Sequence, residues 1–324
     1  MLRLEHYLRT PPAIAPTPLT ALPRIRPRAV RLPREAPLPR GKTSSTVRAS
    51  APPMREAAAA RMPSLAHREV ARALADEAEA RLGAQLMPSA VPADVAEFRN
   101  GAGNAVGTLD VRHGAPDSPI DFMLQSSLHC KVPNGAIDIT SILVFLNAST
   151  DAPHFLLEFI QGSPTSMVVI LDLLPRKDLA LHPEYIDKYY QNTQLDKQRE
   201  NIEELPQTRP YRSTSLFVRS ACSPTAVSVS IDCGQGGESI LEEIVCGHLA
   251  SVAKGVLQIW LDNCTGNTSE MEEVERDIMV KRDRVVRLKS IEVDLTANLP
   301  RMFGPEVSGR VITEIRRAFG VQEA

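Results

Sequence analysis

Between residues 106 and 173 the chain passes through five apolar, strand-like stretches, 106–112, 119–131, 137–146, 155–161 and 166–173, with only a few residues between them. Connections that short cannot hold the helical crossover that parallel neighbours need, so consecutive stretches must pair antiparallel as a meander. In the last pair, a Gly-Ser-Pro-Thr-Ser turn at 162–166 joins the two strands. Side chains alternate along a strand, which sends Phe155, Leu157 and Phe159 to one face and Leu156, Glu158 and Ile160 to the other. Both faces are apolar, so both must be covered. Each strand of this hairpin also carries one acid, Glu158 or Asp172, among core-type residues. A lone acid is expensive to bury unless it is paired, hydrogen-bonded or protonated. Glu158 is therefore the first place to look for chemistry.

The spacing of apolar residues predicts helices over 64–86, 183–203, 238–263, 270–295 and 306–319, and two further strands at 215–220 and 225–231. Helices before and after a two-sided sheet give an α/β fold, a three-layer α/β/α sandwich around a central, mainly antiparallel sheet. A chain of 324 residues can bury a core of that size. Residues 51–324 read as a single domain, without an internal repeat.

Residues 1–50 read differently. The first 55 positions hold eleven Lys or Arg against two Glu, and eleven of the chain's 26 prolines. Such a segment cannot pack a core and is expected to be disordered. Rich in Arg, poor in acids and ending in Thr43-Ser44-Ser45-Thr46-Val47-Arg48-Ala49-Ser50, it has the composition of a cleavable organellar targeting peptide. Val47-Arg48-Ala49 is similar to a plastid stromal cleavage site, and a mitochondrial address shares the same composition. The alternative is a retained basic arm that binds something anionic. Once the leader is removed the chain is acidic, which disfavours nucleic acid and anionic membranes as partners. No uncharged apolar run approaches the roughly 18 residues of a membrane helix.

Cofactor motifs are scarce. Cys130, Cys222, Cys233, Cys246 and Cys264 form no CxxC pair and no zinc or iron–sulfur spacing, and they read as reduced core thiols. Cys233-Gly-Gln-Gly-Gly-Glu238 stands where a phosphate loop would stand, yet it lacks the Gly-Lys-Ser/Thr of a P-loop and the third glycine of a dinucleotide fingerprint. It reads as a plain strand-to-helix connection. Arg219, in Leu-Phe-Val-Arg-Ser-Ala, is expected either to neutralise a buried acid or substrate carboxylate, or to reach solvent from a strand end.

Several blocks resemble red chlorophyll catabolite reductase. They are Pro-Ile-Asp-Phe (119–122), His-Cys-Lys-Val-Pro (129–133), Leu-Glu-Phe-Ile-Gln (157–161) and Leu-Asp-Leu-Leu-Pro-Arg-Lys-Asp-Leu (171–179). Pro-Tyr-Arg-Ser-Thr-Ser-Leu-Phe-Val-Arg-Ser-Ala (210–221), Ser-Pro-Thr-Ala (223–226), Lys-Ser-Ile-Glu-Val-Asp-Leu (289–295) and Leu-Pro-Arg-Met-Phe-Gly (299–304) follow in the family's order. The resemblance covers about residue 65 to the end. It implies a chloroplast stromal enzyme related in fold to ferredoxin-dependent bilin reductases, with an additional mitochondrial pool. Such an enzyme reduces an open-chain tetrapyrrole, red chlorophyll catabolite, to the primary fluorescent catabolite. It implies no bound cofactor, reduced ferredoxin as electron donor, the ring-opening oxygenase upstream as a partner, and a homodimer.

By matched motif, Glu158 and Asp294 are the expected pocket carboxylates, with Tyr211, Arg212 and Ser213 as another wall. The middle position of Pro-Tyr-x-Ser varies in the family, so Arg212 is expected to act more through its backbone than its side chain. A one-electron-reduced tetrapyrrole must be protonated before a second electron enters easily, and a carboxyl group kept protonated by burial can supply that proton. Asp294 either donates a proton too or holds pyrrole N–H groups as an anion. The bland alternative for each acid is a structural ion pair, for instance with Arg219. Cys222, nine residues past Ser213, is expected to set which face of the substrate meets the donor, and so the product epimer. Arg176, Lys177 and Lys188 are expected to dock acidic ferredoxin. Two other function classes use the same blocks differently: a protein that only sequesters tetrapyrroles, and a nicotinamide-dependent reductase, which the missing fingerprint disfavours.

Overall fold

The structure, a computed structural model, describes residues 61–133, 135–266 and 268–321, without the side chains of Val293 and Asp294. The leader expected over residues 1–50 lies outside the described residues. The five predicted stretches are β2 (Ala105–His113), β3 (Ile120–Val132), β4 (Gly135–Leu146), β5 (His154–Ser163) and β6 (Ser166–Leu174), preceded by the one-turn helix α2 (Ala93–Ala96) and β1 (Glu97–Arg99). With β7 (Thr208–Pro210) and β8 (Val227–Asp232) they form one sheet in the order β1-β2-β3-β4-β5-β6-β8-β7. Every pairing is antiparallel.

Helices cover both faces, as the two-sided apolar pattern requires. Phe155, Leu157 and Phe159 pack with α1 (Ala66–Leu82) and with α6 (Glu238–Ile244) and α7 (Ala250–Cys264), which brings in the fully buried Trp260. The short α3 (Pro183–Ile186) and α4 (Leu195–Glu203) complete that layer through Tyr185, Leu195 and Ile202. Leu156, Ile160, Ile170 and Leu174 on the other face lie under the C-terminal layer. Here α8 (Glu273–Ser290) passes through a π turn, Ile291–Leu295, into α9 (Thr296–Ala318). Ile291, Leu295, Leu299, Phe303 and Ile315 meet the sheet. Within α9, Gly304 stands at φ +78° ahead of Pro305, so the helix bends there. Only glycine takes that left-handed geometry without strain, and Pro305 has no N–H to continue the ladder.

Three expectations change. The run Glu238–Cys264 is long and apolar enough, by length and composition, to cross a membrane, at a mean hydropathy of 1.4. Half of it is buried in the core, where Leu249, Val252, Val256 and Leu257 face the sheet, so its apolarity serves packing. Residues 215–220 are no strand but helix α5 (Leu216–Ala221), capped by Ser215, whose Oγ accepts the Val218 N–H at 3.4 Å. The turn from Leu216 to Ala221 leaves Arg219 exposed on the outer side, so it neutralises no buried acid.

Arg176 is the third correction. At 1% exposure it cannot meet a partner protein. It lies between Asp283 of α8, at 2.7 Å from Nη2 to Oδ2, and the carbonyls of Asn147 and Thr150, at 3.1 and 2.6 Å. His154 Nδ1 accepts the Leu146 N–H at 3.0 Å, so Nε2 carries the proton and donates to Asp283 Oδ1 at 3.1 Å. This cluster ties α8 to the sheet. Lys177 is engaged with Asp151 and Glu275, and of the three proposed docking cations only Lys188 keeps substantial exposure, at 54% of its side chain.

Candidate active site

Glu158 is 0% exposed. Its neighbours on the same face, Leu156 and Ile160, are covered by the C-terminal layer, so its carboxyl group points toward the π turn and α9. The register sets Ser126 of β3 opposite Ser141 of β4, and Ser141 opposite Glu158 of β5. The result is a polar row across an otherwise apolar face. Ser141 Oγ donates to Glu158 Oε1 at 3.2 Å, while Ser126 Oγ is buried without a hydrogen-bond partner. A buried hydroxyl left unpaired costs about 1–3 kcal/mol. Ser126 and Ser141 were not singled out from the sequence, although as serines breaking apolar runs they become visible once the strands are placed in register.

The segment carrying Asp294 lies over this face. Ile291 and Leu295, which bracket it in the π turn, are both buried in the same cluster as Leu156 and Ile160. The side chain of Asp294 is outside the described residues. One residue past the turn's end helix begins α9, where Asn298 is buried beside Leu299.

A second acid shares the face. Asp172 on β6 pairs with Leu156, and Glu158 pairs with Ile170, so the two acids are diagonal neighbours, about 7–8 Å apart by strand geometry. Burial pushes the Asp172 carboxyl up to about 6, against hydrogen bonds from Ser223 that lower it. Ser223 Oγ donates at 2.5 Å and its N–H at 2.8 Å. Cys222, just before Ser223, lines an apolar cleft with Leu156, Leu174, Phe217 and Val218. Burial, then the nearby Asp172 charge, pushes its thiol well up, so it stays a neutral, small wall residue.

Of the expected second wall, Tyr211 packs against the same apolar cluster. Its N–H donates to Ser228 O at 2.8 Å, which fixes it beside β8. Ser213 is buried and its Oγ accepts the Ser215 N–H at 3.2 Å. The Arg212 side chain is exposed. Arg219 is not brought to the acids. Two roomier clefts flank this site: one of about 540 Å³ is lined by Ser126 and Ser141 of the polar row with Arg68 and Asp110, and one of about 440 Å³ is lined by His67, His129, Asp138 and Glu242. Size alone would favour the former, and neither is lined by Glu158 or Asp172. Among the described residues no group of three or more His, Cys, Asp or Glu is placed to hold a metal ion.

The fold resembles a phytochromobilin synthase from tomato solved in complex with biliverdin, with a TM-score of 0.58 over 78% of this chain and 82% of that one, at 17% identity. Among curated proteins, the chain is 69% identical to red chlorophyll catabolite reductase 1, chloroplastic, of Oryza sativa subsp. japonica, over 98% of this chain and 99% of that protein. It is 80% identical to red chlorophyll catabolite reductase of Hordeum vulgare over 63% of this chain and all of that sequence. The chloroplastic Arabidopsis thaliana relative is 49% identical over 75% and 77% of the two chains. The family model for red chlorophyll catabolite reductase matches residues 66–317, nearly all of the described fold, and the chain belongs to that family.

Proposed function

We propose that this chain reduces red chlorophyll catabolite, an open-chain tetrapyrrole, at one methine bridge, taking electrons singly from reduced ferredoxin and protons from Glu158 and Asp294. The reading is supported above all by the complete burial of Glu158 on the sheet face that the Asp294 segment covers. Each reduction takes up two electrons and two protons. The first electron makes a radical anion, whose protonation removes the charge that opposes the second. A carboxyl group held in place beside the reacting carbon contributes about 10²–10⁴ in rate to such a transfer. The Ser141 hydroxyl orients the Glu158 carboxyl for that role. Binding a flat substrate over Glu158 requires the π turn and α9 to stand off the sheet.

Residues 1–50 act in this reading as the import signal for the chloroplast stroma. The enzyme works as a homodimer beside the ring-opening oxygenase that supplies its substrate. Incubation of the red catabolite with anaerobic, reduced ferredoxin tests the reading. Loss of the red absorbance with growth of product fluorescence is expected. Turnover with NADPH alone would overturn the electron donor, and no turnover at all would leave a tetrapyrrole carrier.

Cys222 carries the stereochemical part. A Phe in its place adds a ring to the cleft wall facing Leu156 and Leu174, and a difference of about 1.4 kcal/mol between two approaches gives tenfold selectivity. Cys222→Phe is expected to switch the product epimer and keep activity. If Cys222 only fills the core, overpacking costs about 1–3 kcal/mol and leaves the epimer unchanged. Chromatography of the epimers beside a melting curve separates the two outcomes.

A further inference from the structure

We propose that Asp172 is a positioning residue, which fixes the Cys222 wall of the tetrapyrrole cleft through its two hydrogen bonds with Ser223; this rests on the reductase reading above. The wall is made by α5 and the two residues after it. Of the six residues of α5 only Val218 is buried. Leu216 is 72% exposed, and Arg219 and Ser220 face solvent. A helix this short, with one anchoring side chain, does not hold its own place. Its C-terminal end is closed by the Cys222 N–H on Val218 O at 3.2 Å, and the chain is then gripped at Ser223. Asp172 Oδ1 takes the hydroxyl and Oδ2 the amide, so both oxygens of one buried carboxylate hold one residue.

The other side of the cleft is built on the same strands. Leu156 is the cross-strand partner of Asp172, and Leu174 is its next neighbour on the same face. Asp172 thus ties the movable wall, Val218, Ala221 and Cys222, to the fixed wall, Leu156 and Leu174. Its partners are a hydroxyl and an amide rather than a cation. Burying a carboxylate on those terms costs stability that an apolar residue would not, which favours a functional role over a packing role. The carboxyl raised to about 6 reflects that cost.

Ser223→Ala removes one of the two bonds and leaves the backbone one, and Asp172→Asn keeps the shape without the charge. Biliverdin serves as an open-chain tetrapyrrole probe, because an asymmetric pocket twists it to one hand and gives it visible circular dichroism. In both variants of the full chain the dichroism per bound biliverdin is expected to fall to about half or less. The epimer ratio of the reduced red catabolite is expected to move toward unity by about fivefold, or about 1 kcal/mol. Wild-type dichroism and epimer ratio, with only a lowered melting temperature, would overturn the inference, as would a wild-type protein that gives bound biliverdin no dichroism. Should Asp172→Asn not fold, Ser223→Ala decides alone. Failure of the reductase reading shows separately, as no consumption of red catabolite by the wild type, while the biliverdin signal still reports on the wall.

Discussion

The Glu158→Gln variant is expected to fold like the wild type and to turn over about 10²–10⁴-fold more slowly. The amide matches the carboxyl in shape, so the fully buried site gains no cavity, and Ser141 can still donate to its oxygen. What is lost is the transferable proton. A group that acts only as the proton moves should lower kcat and kcat/KM together. Asp294→Asn is expected to act in the same direction. Single-turnover traces with reduced ferredoxin, beside far-ultraviolet dichroism, make the measurement. Near-wild-type rates in the double variant would show that the protons come from elsewhere.

Breaking the Arg176–Asp283 pair should have the largest effect on stability. Removing one partner strands the other charge in the core, at a cost of about 3–5 kcal/mol. For a domain of this size that lowers the melting temperature by about 10 °C. Asp283→Ala is the direct test, and replacing both residues by apolar ones should recover much of the loss. A melting temperature unmoved by Asp283→Ala would contradict the anchoring role. The pH dependence has a defined sign. Burial opposes ionisation of Asp283, but His154 and Arg176 together hold its carboxyl at about 2. A folded value below the unfolded 3.8 means stability present above that pH and lost as pH falls toward 2. His154 is held at about 4 by burial, so the unfolded chain takes up that proton first, and stability also falls between pH 6.5 and 4. Melting curves at stepped pH should show both losses in the wild type and lack the lower one in Asp283→Ala.

The meander was legible because alternation and connection length are local properties, and 106–112 through 166–173 match β2 to β6 to within a residue or two. The burial of Glu158 followed from the same alternation. Helix α5 was not legible from hydrophobicity, since Leu216, Phe217 and Val218 suit a strand as well. The capping Ser215 was the better signal. Arg176 was misplaced because its partner lies 107 residues away on α8, and a buried ion pair leaves no local pattern. Ser126 and Ser141 gained meaning only from register, and Ser223 only from the long-range bond to Asp172.

The two ends of the sheet bear on how the protein behaves when crowded. Its outer strands, β1 and β7, are three residues each, while the inner ones reach 13. An open edge invites other chains to add strands, and short, charged or proline-bearing edges discourage it. Here β1 is flanked by Glu97 and Arg99, paired with each other, and β7 ends on Arg209 and Pro210, which has no N–H to offer. Eight strands rich in Val, Ile, Leu and Phe thus end in margins too short and too polar to seed aggregation, so the folded protein should tolerate high local concentration without joining edge to edge.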